Sequence, residues 1–167
     1  MMGIYEKKLA EEGITLPDAP APAANYVPYV LSGKVLYVSG QISQNASGLI
    51  LGKLGESMTT DQGAEAAKFC AINLLAQVKS ACEGDLDKLL RVIKLTGFVN
   101  STPDFTQQPQ VINGASDLMG SVLGDAGKHA RVAVSANSLP LGVAVEIDGI
   151  FQICLLYTSD AADDPTC

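Results

Sequence analysis

A chain of 167 residues, 47% of them hydrophobic, can build one domain with a real core and needs no covalent staple. Its net charge of −7 argues against nucleic-acid partners, whose phosphate backbones require clustered Lys and Arg. No apolar run is long enough to span a bilayer, and MMGIYEKKLAEEG carries acids where a signal peptide needs an apolar core, so a cytoplasmic protein without membrane contact is expected.

In chain order, Tyr5 to Glu12 predicts a short helix ended by Gly13, and LPDAPAPAANYVP must then run extended as a strap. Val35 to Ser43 alternates as a strand, and the Gly-rich ASGLILGKLG suggests a hairpin return. Thr59 and Thr60 offer an N-cap to a helix on which Ala67, Ala71, Leu74, Leu75, Val78 and Cys82 recur at helical spacing, stopping near Gly84. Cys70 and Cys82 on this helix read as small core residues in a reducing compartment. The four cysteines form no CxxC pair and His129 is the sole histidine, so neither a metal site nor a disulfide framework is suggested.

Arg91 to Val99 reads as a buried strand, Asn100 to Gln108 as a polar loop, and Pro109 to Leu123 as a second helix stopping before Gly124. A strand opens at Arg131, Leu139-Pro140 breaks it, and a last strand runs from Val143 to Ile153. On that strand Val143, Val145, Ile147, Phe151 and Ile153 share one face and leave Glu146 and Asp148 on the other. The expected architecture is an α+β sandwich, a mixed six-strand sheet with two helices on one face. Strands this apolar imply that the uncovered face packs against other copies of the chain. The domain is taken as residues 1–153. The segment Cys154–Cys167, CLLYTSDAADDPTC, continues no periodicity and resembles translated read-through; a genuine acidic tail is the alternative.

Arg131 is one of only two arginines, and Glu146 lies within the next strand. A guanidinium offers a planar fork that matches a carboxylate, and a half-buried glutamate can hold or activate water. On these residues alone a structural ion pair inside the core accounts for them equally well. His129 reads as a loop or interface residue, because it sits two positions before Arg131 and nothing in the sequence pairs with it. Ser39-Gly40 can be a strand-end bulge, and Tyr26 a packing residue of the strap.

Arg131 is followed by Leu139-Pro140 and then Glu146, Ser39-Gly40-Gln41 stands early in the chain, Tyr26 precedes Ser39 by thirteen residues, and Asn113 stands in VINGAS. On these motifs the chain resembles the YjgF/YER057c/UK114 (Rid, formerly endoribonuclease L-PSP) family over roughly its first 153 residues. The resemblance implies a chorismate-mutase-like fold, a homotrimer with a ligand cleft at each subunit interface, and no cofactor or metal. It also implies hydrolysis of small 2-imino or 2-enamino carboxylates to 2-keto acids and ammonia. Arg131 would then clamp the substrate carboxylate and Glu146 position the water. Tyr26 and Asn113 would line the cleft, and Ser39 and Gly40 supply further contacts. Ala133 stands where the family often has cysteine, and the N-terminal extension and longer Phe98–Asn113 loop resemble a sister branch. A non-catalytic protein that binds small carboxylates is the alternative, and a ribonuclease or translation-inhibitor role the third.

Overall fold

The computed structural model describes residues 1–155, so the expected tail beyond Leu155 lies outside the described residues. Helix α1 (Ile4–Glu11) starts where the Asp87 carboxylate accepts from the Ile4 and Tyr5 amides at 2.8 and 3.1 Å, satisfying two donors that a helix start leaves open. Gly13, at φ 72°, ends it as the sequence predicts. The strap that follows is tied to the body by Gln77, whose amide donates to the Pro20 carbonyl at 2.7 Å. Ser39 holds its far end, donating from its backbone N–H to Pro28 O at 2.9 Å and from its hydroxyl to Val27 O at 2.8 Å.

The next elements are β1 (Tyr29–Ser32), β2 (Val35–Ile42), and a short ladder of β3 (Gln44–Asn45) with β4 (Gly48–Leu49). The sequence pattern does not separate β1 from the strap, because Pro28 and Gly33 leave too few residues between breakers for alternation to show. The Gly-rich return is a hairpin as expected, but it stands apart from the main sheet. The sheet therefore has five strands where six were expected.

Helix α2 (Thr60–Ala81) is capped by Thr59, whose hydroxyl accepts from Gln62 N at 3.2 Å while the Gln62 side chain accepts from Thr59 N at 2.9 Å. All six of its predicted core positions are fully buried, and Cys70 and Cys82 are free thiols within that core. Then come β5 (Leu89–Asn100), α3 (Gln108–Leu123), β6 (Ala130–Ala136) and β7 (Val145–Ile153). The sheet order is β1-β2-β7-β5-β6, with β5 and β6 parallel and every other pair antiparallel. Gly114 sets how closely the helices pack: a Cβ there would lie 1.9 Å from the Ala64 carbonyl, so only glycine lets α3 approach α2 this way.

Val145, Ile147, Phe151 and Ile153 are buried beneath the helices, and Glu146, Asp148, Ile150 and Gln152 alternate with them on the other face. That other face carries no helix. Val30 and Tyr37 on it are 54% and 49% exposed, and Val132 and Val134 are each 41% exposed. No helix among the described residues is long and apolar enough to cross a membrane.

Candidate functional site

Arg131 pairs in register with Leu95, a fully buried residue of the helix-covered face, and so its side chain turns toward α3 at the sheet edge. There its NH1 donates to Asn113 Oδ1 at 2.8 Å and to Ser116 Oγ at 3.1 Å, and its NH2 makes a long 3.5 Å contact with Pro109 O. Asn113 and Ser116 lie three residues apart on α3 and so share one helix face. Both protons of NH1 are consumed. Nε–H and one NH2 proton have no partner among these contacts and are the donors left to a carboxylate.

Glu146 occupies the opposite face of the sheet. It pairs with Phe98 on β5 and Ile42 on β2, and its Oε1 rests where a Cβ on Gly40 would be, only 2.3 Å away. Ser39 and Gly40 form the irregularity between Val38 and Gln41 where β2 slips in register against β7. The bulge thus lies within the strand rather than at its end, and its glycine makes room for the carboxylate. Burial, with the neighbouring Asp148 charge added, raises the Glu146 carboxyl above the usual glutamate range. Asp148 is also raised by burial, against the opposing pull of the Thr96 hydroxyl and Lys94.

A cavity of about 820 Å³ opens beside Glu146, lined by Tyr26, Ser39, Gly40 and the strap, with Gln77, Pro140 and Leu141 completing its walls. Leu141 holds a left-handed backbone at φ 60° and is 65% exposed, a strained and apolar rim residue. Neither Arg131 nor Asn113 borders this cavity. A second cavity of about 470 Å³ lies between the strap and α2 against Phe69 and Ile72, and it includes none of the predicted residues.

The six residues named from the sequence thus fall into two groups, Arg131 with Asn113 and Glu146 with Tyr26, Ser39 and Gly40. The simple alternative of an Arg131 ion pair with Glu146 or Asp148 is not what the chain adopts, since the partners of Arg131 are all on α3. The sequence reading also left His129 unpaired, whereas its Nε2 lies 2.9 Å from Ser116 Oγ and its Nδ1 2.6 Å from the Gly127 carbonyl. Two spacings carried the signal: Ser116 is three residues beyond Asn113, and His129 is two before Arg131 on an emerging strand. Gln77, which borders the cavity from α2, has no comparable signal because nothing separates it from the helix core pattern.

A family profile described as "YjgF/chorismate_mutase-like, putative endoribonuclease" matches residues 6–157. The chain belongs to the YjgF family. Among its relatives, the protein TCP17 of Trypanosoma cruzi is 51% identical over 153 residues, spanning 90% of this chain and 95% of that one. The solved structure of Atu1372 from Agrobacterium tumefaciens superimposes with a TM-score of 0.85 at 49% identity, covering 90% of this chain and 93% of its own. RidA from the Antarctic bacterium Psychrobacter sp. PAMC 21119 shares 26% identity and a TM-score of 0.55, covering 81% of this chain and 94% of its own. The chain is thus nearer in geometry to Atu1372 than to that RidA.

Proposed function

We propose that this chain hydrolyses small 2-imino carboxylates, and their enamine tautomers, to 2-keto acids and ammonia in a cleft formed between copies of the chain. The observation that carries the reading is Arg131, whose guanidinium is held by α3 with donors left to a carboxylate. The two groups of site residues occupy opposite faces of one sheet, and apolar Val132 and Val134 lie uncovered beside them. A neighbouring copy seated on that face would bring its own Arg131 group to this copy's Glu146 group. The family resemblance favours a homotrimer for this assembly.

In such a cleft Arg131 holds the substrate carboxylate and sets the C=N carbon before Glu146. From the protonated imine, the Glu146 carboxylate takes a proton from water as its oxygen adds to that carbon, giving a neutral carbinolamine. The same carboxyl protonates the amine, then accepts the carbinolamine hydroxyl proton as the C–N bond breaks, so that the carbonyl forms and ammonia leaves; that proton passes to the departing ammonia and restores the carboxylate. A raised carboxyl suits this exchange, because its affinity for the proton is closer to neutrality than that of an ordinary glutamate. Substrates of this class already hydrolyse in water, so one clamp and one proton carrier are sufficient.

The net charge of −7 and the single histidine speak against an RNA-cleaving role, which needs phosphate attraction and a pair of proton-transfer groups. The experiment is to generate 2-imino acids in place with an amino-acid oxidase and follow imine loss with and without the protein. Faster loss supports the hydrolase. Binding of 2-keto acids with no acceleration across several side-chain classes selects the non-catalytic carboxylate-binding reading instead.

A further inference from the structure

In the neutral ring the bonds around His129 have only one consistent direction. The Gly127 carbonyl can only accept, so the hydrogen between it and Nδ1 at 2.6 Å belongs to the imidazole. In the neutral ring Nε2 is then the acceptor, and the Ser116 hydroxyl 2.9 Å away donates to it. With its one proton committed, Ser116 Oγ presents lone pairs to Arg131 NH1 at 3.1 Å. Gly127 is itself fixed: it is buried, and a Cβ there would strike the Met119 carbonyl at 2.1 Å, so its backbone is packed onto α3. The chain of bonds therefore leaves α3 at Gly127's contact and returns to α3 at Ser116.

We infer that His129, in its Nδ1-protonated form, is a positioning residue that acts through Ser116 to orient the Arg131 guanidinium. A serine hydroxyl without a fixed acceptor rotates, so its lone pairs meet Arg131 NH1 only part of the time. Acceptance by His129 Nε2 fixes that rotor. The consequence is that NH1 stays on α3 and leaves Nε–H and the NH2 proton not directed at Pro109 for a carboxylate, which then does not have to order the side chain on arrival. This inference rests on the reading of Arg131 as a carboxylate clamp and adds the device that aims it.

Two labels make the test clean, since the chain has a single histidine and only two arginines. Nitrogen-15 NMR of histidine-labelled protein is expected to show the Nδ1-protonated tautomer; an Nε2-protonated neutral ring would overturn the inference. In arginine-labelled protein, Arg131, assigned by its absence in Arg131→Ala, is expected to show slowed rotation about Cζ–Nε. His129→Leu and Ser116→Ala should each restore fast rotation, and His129→Gln, whose Oε1 can accept from Ser116, should keep it slow. Fast rotation in the wild type, or slow rotation surviving in both disrupting variants, would overturn the inference without any ligand.

Pyruvate and its uncharged amide, pyruvamide, then separate the two levels of the account. His129→Leu should weaken pyruvate about fivefold to tenfold, the worth of one ordinary hydrogen bond, and leave pyruvamide unchanged. Pyruvate lost in Arg131→Ala but unaffected in His129→Leu refutes the role of His129 alone. Pyruvate bound equally well by Arg131→Ala refutes the clamp, and the proposed aiming with it.

Discussion

Replacing Gly40 with alanine probes Glu146 without touching it. The added Cβ would lie 2.3 Å from Glu146 Oε1 and 3.1 and 3.2 Å from its Cδ and Cγ. Restoring ordinary contact requires the carboxylate to move by roughly 1 Å. Gly40 is not among the residues of positive φ, so its backbone accepts alanine without strain, and the displaced group is the free end of a side chain. The folding cost should therefore be small, about 1 kcal/mol, at the lower end for overpacking. A reacting group displaced by about 1 Å can cost on the order of 100-fold in rate. In the oxidase-coupled assay, Gly40→Ala should lower kcat by about that factor while KM for the imino acid changes little, because Arg131 is untouched. Turnover within threefold of wild type, in protein that is fully folded at the assay temperature, would refute the placement of Glu146 at the chemical step.

Other expectations follow from the packing and the charges. Gly114→Ala drives a methyl into the Ala64 carbonyl at 1.9 Å, backbone against backbone, and should cost roughly 3 kcal/mol or more by denaturant titration. Because the folded-state carboxyl of Glu146 is raised, the unfolded chain loses that proton first as pH increases. The contribution of Glu146 to stability is then fully present below the ordinary glutamate range and is lost as pH climbs through the raised value; Glu146→Gln should remove this component and melt later than wild type above that window. Val132 stands across β5 from Asp148, both facing Thr96 in register, so Val132→Asp adds a third acid, beside Asp148 and Glu146, to the uncovered face. If the proposed homotrimer forms through this face, sedimentation should show the variant as single chains of 17.4 kDa and the wild type at three times that mass; a variant that sediments like the wild type would count against this interface.

Much of the fold could be read from periodicity because single residues punctuate it. Gly13, Thr59, Pro109 and Gly124 bound the helices within a residue or two, and the alternation of β7 shows which face Glu146 takes. β1 escaped because its few residues are fenced by Pro28 and Gly33. The return after Ser43 escaped in a different way, since a hairpin signal says that two strands meet and not that they join a larger sheet.

The candidate residues themselves were legible as a set, but not their division. Arg131 and Glu146 sit on strands that are consecutive in sequence, yet β5 lies between those strands in the sheet. The 3-10 turn at Pro140–Gly142 then interrupts the alternation, so the face of β7 cannot be counted forward from β6. The partners of His129 depend on α3 packing against the edge of β6, a contact that has no trace in local spacing.

The central claim is that Arg131 of one copy works with Glu146 of another, and mixing two inactive variants tests it directly. Arg131→Ala and Glu146→Gln are each expected to lose activity in the oxidase-coupled assay. Unfolded together and refolded in equal amounts, they should regain about a quarter of wild-type turnover, because random assembly of a closed ring reunites an intact arginine and glutamate in that share of clefts. No recovery from the mixture, in assemblies shown to have exchanged chains, would contradict a cleft shared between copies.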